Sequence, residues 1–450
     1  MGSSVFRCFI YNTAISNPPA KREDYGNNLS FRGRVLAIAA ASAYHGPDLP
    51  PGPYCGRSSY SADRCCQNRQ DACSHRILDT LCYCDEFCNR TRAMDDCCPD
   101  YEEVCLGIIA LPIIKGKCRP GQTKTEGCNK CVCDEVGDTL DWVCDQDECI
   151  ISDQVIRDVN RGGNSWRAAN YTEYRGKKLK DGLKYRLGTL PISIESRRMH
   201  PIQYDKVMDY PREFDARRRW PHYVSPVIDQ GWCGSDWAVS IAGVISDRFA
   251  IQSNGAERMI ISPQSLLSCN VRGQQGCDGG YIDVAWNFAG QYGLVDEDCL
   301  PYTAKNGKCP YKIKGNLIEA GCRPPTVSRT SKYKVGPPYR LRLEEDIMYE
   351  IMESGPMQAV MTVYQDFFHY RDGVYRHTRS GDQRLEGLHS VRLLGWGEER
   401  GDKFWIVANS WGPEWGENGY FRIARGSDES GIESFVISVL SDVNEANLKK

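Results

Sequence analysis

The sequence has little net charge, few histidines and no long apolar run. Its 450 residues carry a formal net charge of -3 and include seven histidines. A charge so close to zero argues against a nucleic-acid partner or a membrane-surface role. The apolar stretch 35–43 is too short to cross a bilayer core of about 30 Å, so no membrane anchor is expected. Cysteine, by contrast, is abundant.

The first 43 residues predict a secreted chain. The basic string FRGR at 31–34 precedes the apolar run 35–43, which ends in small residues. A basic segment, a short apolar run and small residues after it are typical of a signal peptide. We therefore expect residues 1–43 to be an N-terminal extension with a signal peptide. The mature protein is then expected in the extracellular space or extracellular matrix.

The 23 cysteines divide the chain into modules. Residues 55–105 hold ten, residues 118–149 hold six and residues 233–322 hold six, whereas residues 150–211 hold none. In a secreted chain such cysteines form disulfides rather than metal sites, so we expect no metal and no other cofactor. At about 150 residues per domain, the length suggests around three modules.

The first module, residues 53–107, resembles a somatomedin B domain. The resemblance rests on the strings CYCDEFC at 82–88 and DCCPDY at 96–101. Zinc binding is the competing interpretation, but adjacent cysteines and a single histidine, His75, do not suit it. About 50 residues bury too little apolar surface to fold alone, so disulfides are expected to hold this module together.

The second module, residues 116–150, has a weaker similarity to a von Willebrand type C module. Its cysteines follow the pattern C-x2-C-x-C from Cys128 and then W-x-C-x4-C from Trp142. A disulfide spacer that binds no ligand is the alternative interpretation.

Residues 151–211 contain no cysteine and many charges. The string NRGGNSWRA at 160–168 resembles the start of the cathepsin B propeptide, which in active relatives occupies the substrate cleft until it is cut away. We therefore interpret residues 151–211 as a propeptide-like linker that stays attached. Asn170 lies in a glycosylation sequon in this linker, and Asn89 lies in another in the first module.

The stretch DQGWCGSDWA at 229–238 decides the chemistry. The papain and cathepsin signature runs C-G-[SA]-C-[WY]. Cys233 and Trp237 fit it, but Asp236 stands at the nucleophile position. Three further motifs occur in the order known from that family: GCDGGY at 276–281, GLHSV at 387–391 and NSWG at 409–412. Residues 212–445 are therefore similar to papain-like cysteine proteases, and to cathepsin B in particular.

The resemblance implies an α+β fold, a papain-like domain in which a helical left half packs against a β-barrel right half. The residue pattern agrees, since residues 235–252 have a mostly apolar helical face. Residues 391–394 and 403–408 alternate or run apolar, as strands do. The resemblance also pairs the six cysteines of this domain as Cys233 with Cys277, Cys269 with Cys309, and Cys299 with Cys322.

The other site residues match family roles. In a cysteine protease a thiolate attacks the peptide carbonyl, a histidine moves the proton, an asparagine orients the histidine and a glutamine stabilises the oxyanion. By resemblance these last three are His389, Asn409 and Gln230. Asp236 is a much poorer nucleophile than a thiolate, so we expect no hydrolysis by this mechanism and a charge pair between Asp236 and His389 instead. A residually active hydrolase and a decoy that binds protease substrates are the alternatives.

The resemblance also identifies a substrate cleft. Its candidate binding residues are Gly279, Gly280, Trp237, Trp411 and Phe435. Because residues 281–331 contain no histidine, the paired histidines of cathepsin B's occluding loop are missing, and we expect the primed side of the groove to be open. Phe435 stands where cathepsin B has an acidic residue, which predicts an apolar specificity pocket.

The order of the modules resembles the tubulointerstitial nephritis antigen family, which are non-catalytic glycoproteins of the basement membrane. The vertebrate members of that family have serine at the nucleophile position, so Asp236 departs from their pattern. The resemblance implies a role in the extracellular matrix or in cell adhesion. The partners it implies are matrix proteins or cell-surface receptors, with secreted ligands or polysaccharide as further candidates.

Overall fold

The computed structural model describes residues 52–57, 65–77, 80–89, 96–107, 118–137, 139–205, 208–323, 329–380 and 386–444. The expected signal peptide lies outside these residues. The chain divides into two compact units, residues 1–113 and residues 114–450. Within the described ranges, no helix combines the length and apolarity needed to span a bilayer.

The first unit is held by disulfides. Strands β1 (Ser74–Ile77) and β2 (Thr80–Tyr83) form an antiparallel hairpin, and helix α1 spans Tyr101–Cys105. Five bridges join the ten cysteines, as Cys55–Cys84, Cys65–Cys105, Cys66–Cys73, Cys82–Cys98 and Cys88–Cys97. Most side chains in the buried cluster of this unit belong to these cysteines, and Ile77 and Tyr101 pack between them. The bridges thus take the place of an apolar core, which is how a module of this size becomes stable.

The second unit begins with the second cysteine module. Strands β3 (Thr123–Glu126), β4 (Asn129–Val136) and β5 (Thr139–Cys144) form an antiparallel sheet in that order. Its three bridges are Cys118–Cys133, Cys128–Cys149 and Cys131–Cys144. The module belongs to the same compact unit as the protease-like domain.

Besides a short 3-10 helix at Thr172–Tyr174, the described part of residues 151–211, which we call the strap, contains three α-helices and one strand. These are α2 (Asp153–Arg161), β6 (Trp166–Ala168), α3 (Leu179–Arg186) and α4 (Ile194–Arg198). The second cysteine module is fastened to the strap: the Leu179 N–H donates to Glu148 O at 2.7 Å, and Lys178 Nζ lies 2.6 Å from an Asp147 carboxylate oxygen. A movement of the strap would therefore carry the module with it.

The remaining residues form a helical lobe and a sheet lobe. The helices are α5 (Ala216–Arg219), α6 (Asp236–Gln252), α7 (Pro263–Cys269), α8 (Ile282–Tyr292) and α9 (Glu344–Ser354). The strands are β7 (Phe214–Asp215), β8 (Tyr339–Leu341), β9 (Met357–Tyr364), β10 (Tyr370–Tyr375), β11 (Glu386–Glu399), β12 (Asp402–Ala408), β13 (Tyr420–Ala424) and β14 (Val436–Ser438). The sheet has the order β6-β10-β13-β12-β11-β9-β14-β8, with β7 paired to β11.

Helix α6 is the centre of the helical lobe and is buried on nearly all sides. Its apolar face was predicted, but its polar residues are buried too, because the sheet lobe covers the opposite side. Each of these polar side chains has a partner: Ser240 Oγ accepts from Gln358 Nε2 at 2.8 Å, and Arg248 lies 2.8 Å from Glu350. Buried polar groups are tolerated where they are hydrogen-bonded in this way. The two lobes are thereby joined along the length of α6.

The strap packs on the sheet lobe. Strand β6 pairs antiparallel with β10, so that the strap adds an edge strand to the sheet. Trp166 is buried against Tyr370 and Tyr375, and its indole N–H donates to Arg376 O at 2.9 Å. The strap is thus part of the sheet-lobe core and not a surface appendage.

A buried histidine fixes the start of α2. The Ser152 N–H donates to Nε2 of His369 at 3.1 Å, and Nδ1 of the same ring faces Gln365 O at 3.2 Å. This arrangement needs the neutral ring, because Nε2 must accept. Burial lowers the pKa of His369 to about 4, and the same burial leaves no solvent to hydrate a charged ring.

This histidine should make the fold sensitive to acid. Its pKa in an unfolded chain is about 6.5, so its contribution to stability is fully present above that pH and is lost as the pH falls towards 4. Between pH 7 and pH 4.5 we expect the free energy of unfolding to fall by on the order of 1–3 kcal/mol through this group. His369→Gln should remove this part of the loss, as measured by urea unfolding at both pH values. His200, which is exposed, provides the control His200→Gln; equal losses in wild type and His369→Gln would contradict the assignment.

Candidate functional site

Asp236 is the first residue of α6, and its side chain is 0% exposed. The preceding loop is held by the Cys233–Cys277 bridge and by a hydrogen bond from the Gly234 N–H to Cys277 O at 2.8 Å. A helix N-terminus favours a negative charge, because its first N–H groups point out of the helix. The loop and helix together therefore present the Asp236 carboxylate at the position where a protease would present its nucleophile.

Four groups surround the two oxygens of Asp236. The backbone N–H of Gly188 donates to Oδ1 at 2.5 Å. The Thr189 hydroxyl donates to Oδ2 at 2.5 Å, and the Ser390 N–H donates to Oδ2 at 2.8 Å. Nδ1 of His389 lies 3.2 Å from the same oxygen. A carboxylate has about four lone-pair sites, so these contacts use its acceptor capacity.

His389 lies between Asp236 and Asn409. It sits on β11 and is fully buried, and its Nε2 lies 2.7 Å from Asn409 Oδ1. The Ser410 N–H also donates to Asn409 Oδ1 at 2.8 Å, which fixes the orientation of that amide. In its protonated form the imidazole donates to both neighbours, and Asp236 supplies the opposite charge. The order of nucleophile position, base and orienting amide is that of a catalytic triad.

Gln230 faces a carbonyl of the chain itself. Its Nε2 donates to Arg186 O at 3.2 Å and to Cys233 O at 3.0 Å, and the indole N–H of Trp411 donates to the same Arg186 oxygen at 3.3 Å. The Ser410 hydroxyl donates to Gln230 Oε1 at 2.5 Å and holds the amide in this orientation. The donor that would stabilise an oxyanion is therefore occupied by the strap.

The strap passes through the cleft in extended conformation. Thr189 forms a parallel bridge with Gly280: the Gly280 N–H donates to Gly188 O at 2.8 Å, and the Leu190 N–H donates to Gly280 O at 3.0 Å. Backbone pairing of this kind is how an extended peptide is bound at a sheet edge or groove. Residues 186–190 therefore occupy the groove at these positions, while the open primed side stays a prediction.

The other cleft residues predicted from the sequence are covered as well. Gly279 and Gly280 are buried, and so are Trp237, Trp411 and Phe435. Phe435 packs in the core of the helical lobe, with the Arg340 guanidinium 5.3 Å from its ring centroid. The apolar specificity pocket at Phe435 stays a prediction. The structure therefore buries all five of the predicted cleft residues.

Arg186 anchors the strap at the entrance to the cleft. It is 1% exposed and lies 2.6 Å from Asp229 and 3.2 Å from Glu173. Its guanidinium also stacks near the rings of Tyr174 and Trp232, at 5.5 and 5.4 Å from their centroids. Burial raises the pKa of Glu173. A buried guanidinium needs such partners, because an unpaired buried charge is strongly unfavourable.

The protease-like domain forms the three bridges that the resemblance implied, Cys233–Cys277, Cys269–Cys309 and Cys299–Cys322. Of the two sequons, Asn170 is exposed, as an acceptor must be. The side chain of Asn89 lies outside the described part of the structure.

Comparison with known proteins places this site in a family. The model of the papain family of cysteine proteases matches residues 210–440. Human tubulointerstitial nephritis antigen-like protein is 39% identical over 445 residues, covering 90% of this chain and 94% of its own. Human tubulointerstitial nephritis antigen is 38% identical over 419 residues, covering 85% and 87%. The chain belongs to the tubulointerstitial nephritis antigen family.

A solved structure extends the comparison beyond the protease-like domain. Procathepsin B S9 of Trypanosoma congolense is 30% identical, with a TM-score of 0.57, and the match covers 65% of this chain and 99% of that one. The matched 65% of this chain is more than the protease-like domain alone makes up. The papain-like α+β fold expected from the sequence is thus confirmed, with a cathepsin B-like relationship.

Three site residues were missed in the sequence. Gly188 and Thr189 lie in the strap, outside every motif that the sequence analysis identified. Ser390 follows His389 directly, and its backbone N–H rather than its side chain contacts Asp236. Gly188 and Ser390 contribute backbone N–H groups, which have no residue-type signature, and the hydroxyl of Thr189 belongs to no recognisable motif.

The Asn409 amide should be required for the stability of the site. Asn409→Ala leaves the His389 Nε2 and the Ser410 N–H without their acceptor in a buried region. We expect the free energy of unfolding to fall by about 1–3 kcal/mol, measured by urea unfolding at pH 7. Asn316, whose Oδ1 accepts from the Glu319 N–H at 2.8 Å in an exposed turn, provides the control Asn316→Ala, for which the loss should be much smaller. Equal losses for the two variants would show that the buried contact adds nothing.

Proposed function

We propose that the chain is a secreted, non-catalytic relative of cathepsin B that acts in the extracellular matrix or in cell adhesion by binding other molecules. The observation that carries the proposal is the carboxylate of Asp236 at the nucleophile position, with both oxygens bonded to neighbouring groups. Peptide hydrolysis by the family mechanism needs a thiolate there. The names of the relatives, which describe antigens rather than peptidases, agree with this proposal.

The disulfides support secretion. Eleven bridges join cysteines of the described residues. Bridges in such number persist in an oxidising environment and are rare in the cytosol. Exposed Asn170 is then available as a glycosylation site in the secretory pathway.

The surfaces that bind partners are proposed to lie on the cysteine-rich modules. In the first unit Leu81 is 46% exposed and Phe87 is 38% exposed. In the second cysteine module Val132 and Val143 are paired across β4 and β5, and both are exposed. Exposed apolar side chains on small rigid modules are typical of interaction surfaces. Matrix proteins or cell-surface receptors are the proposed partners, with secreted ligands or polysaccharide as further candidates.

The absence of peptidase activity is directly testable. The purified protein should show no turnover of fluorogenic peptides at pH 5–6 under reducing conditions and no labelling by a thiol-directed epoxide, because Asp236 offers no thiolate. Active cathepsin B assayed in parallel is the positive control. Turnover that persists through repurification and disappears in His389→Ala would overturn the non-catalytic assignment.

Matrix binding should depend on the exposed apolar residues of the first unit. The double variant Leu81→Ser, Phe87→Ser should reduce retention of the full chain on an extracellular matrix extract at least about fivefold, a loss of roughly 1 kcal/mol. Leu343, which is 51% exposed in the second unit, provides the control Leu343→Ser, and retention should not change. Unchanged retention of the double variant would exclude this surface as the binding site.

A further inference from the structure

The cleft of this protein already has an occupant. The segment Arg186–Leu190 contacts each element that would hold a substrate: Gln230 and Trp411 bind its first carbonyl, and Gly280 pairs with its backbone. Asp236 contacts it twice, at Gly188 and at Thr189. The question that follows is what the aspartate does for this segment.

We propose that Asp236 is a binding residue for the strap and makes Arg186–Leu190 a lasting occupant of the cleft. A thiolate or a serine hydroxyl presents one atom at this position. A carboxylate presents two oxygens, and here Oδ1 takes the Gly188 N–H while Oδ2 takes the Thr189 hydroxyl, both at 2.5 Å. Hydrogen bonds to an ionised acceptor are roughly twice as strong as those between neutral groups.

Groups of the protease-like domain hold the same carboxylate in a fixed position. The Ser390 N–H and the His389 ring, both on β11, fix Oδ2 from the sheet lobe, while α6 holds the residue from the helical lobe. Asp236, His389, Ser390 and Thr189 are all buried. Water therefore does not compete for these bonds, and salt does not screen them.

Gly188 completes the fit. A Cβ atom at this position would lie 1.8 Å from Gly234 O and 2.2 Å from the Gly234 carbonyl carbon. The backbones of the strap and of the loop before α6 therefore touch, and only glycine allows the Gly188 N–H to reach Oδ1. The binding site on the domain and the segment that fills it are complementary at the level of single atoms.

It follows that this groove is closed to outside peptides, and that the strap should remain bound even when the chain is cut. The eleven bridges between described cysteines each close within residues 55–149 or within residues 233–322. A break at the exposed residues Met208 and Asp209 thus leaves only non-covalent contacts between the pieces.

The test uses the full secreted chain with a site for a sequence-specific protease inserted between Met208 and Asp209. After cleavage, the C-terminal piece is immobilised and the dissociation rate of the N-terminal piece is measured at pH 7. In the parent chain the piece should stay bound. Asp236→Asn replaces one acceptor by an amide NH2 that faces donors, and it should speed release at least about 50-fold.

A matched control separates this contact from general loosening of the strap. Arg167 and Asp372 form an ion pair at 2.7 Å between β6 and β10, where Arg167 is 66% exposed. Asp372→Asn should change the release rate by less than about fivefold, because exposed pairs contribute little. Release from Asp236→Asn at the rate of the Asp372→Asn control would overturn the proposal.

A second variant covers the case in which Asp236→Asn does not fold. Gly188→Ala leaves every residue of the cleft unaltered and should speed release by a similar factor, because its methyl group cannot approach Gly234.

Amide hydrogen exchange in the uncut chain gives an independent measure: Gly188 should be protected in the wild type and exchange faster in either variant, while α6 stays protected. Retention of the Gly188→Ala piece at the wild-type rate would also overturn the proposal. Both measurements record strap release, so they are separate from the tests of peptidase activity and matrix binding.

Discussion

The structure of the second unit depends on one buried carboxylate. Asp236 joins three parts of the chain: α6 carries it, β11 contacts it through His389 and Ser390, and the strap contacts it through Gly188 and Thr189. An ionised carboxylate without partners in such a place would be strongly unfavourable. With its acceptor capacity used by neighbours, it instead holds the two lobes and the strap together.

The triad residues keep their family arrangement around a different group. His389 and Asn409 keep the geometry that orients a catalytic base, yet the ring now faces an acceptor and not a nucleophile. Gln230 keeps its amide in the cleft, but that amide binds a strap carbonyl. The residues that bind and polarise a substrate in a peptidase here bind a segment of the same chain, because the hydrogen-bond donors and acceptors are the same in both cases.

The cysteine modules are linked to this site in different ways. The second module is fastened to α3 through the Leu179 N–H and the Lys178–Asp147 pair, and α3 leads directly to Arg186 at the cleft entrance. The ion pair is partly exposed and adds little by itself, so the backbone hydrogen bond from Leu179 to Glu148 is the main contact. Retention of the strap in the cleft therefore also retains the second module on the protease-like domain. The first unit is a separate compact body whose fold depends on its own five bridges.

The sequence by itself determined the chemistry that is missing and the architecture that remains. Asp236 in the C-G-S-D-W string excludes a thiolate at the nucleophile position whatever the fold. Cysteine spacing and motif order indicate the modules, because both depend on residue type alone. Only the tertiary structure decided what the cleft contains. Gly188 and Asp236 are 48 residues apart and Asp236 and His389 are 153 residues apart, and no local pattern reports such pairings. The strap fills the groove through backbone N–H and C=O groups and through the Thr189 hydroxyl. Backbone groups are present in every sequence, and only the fold sets their direction.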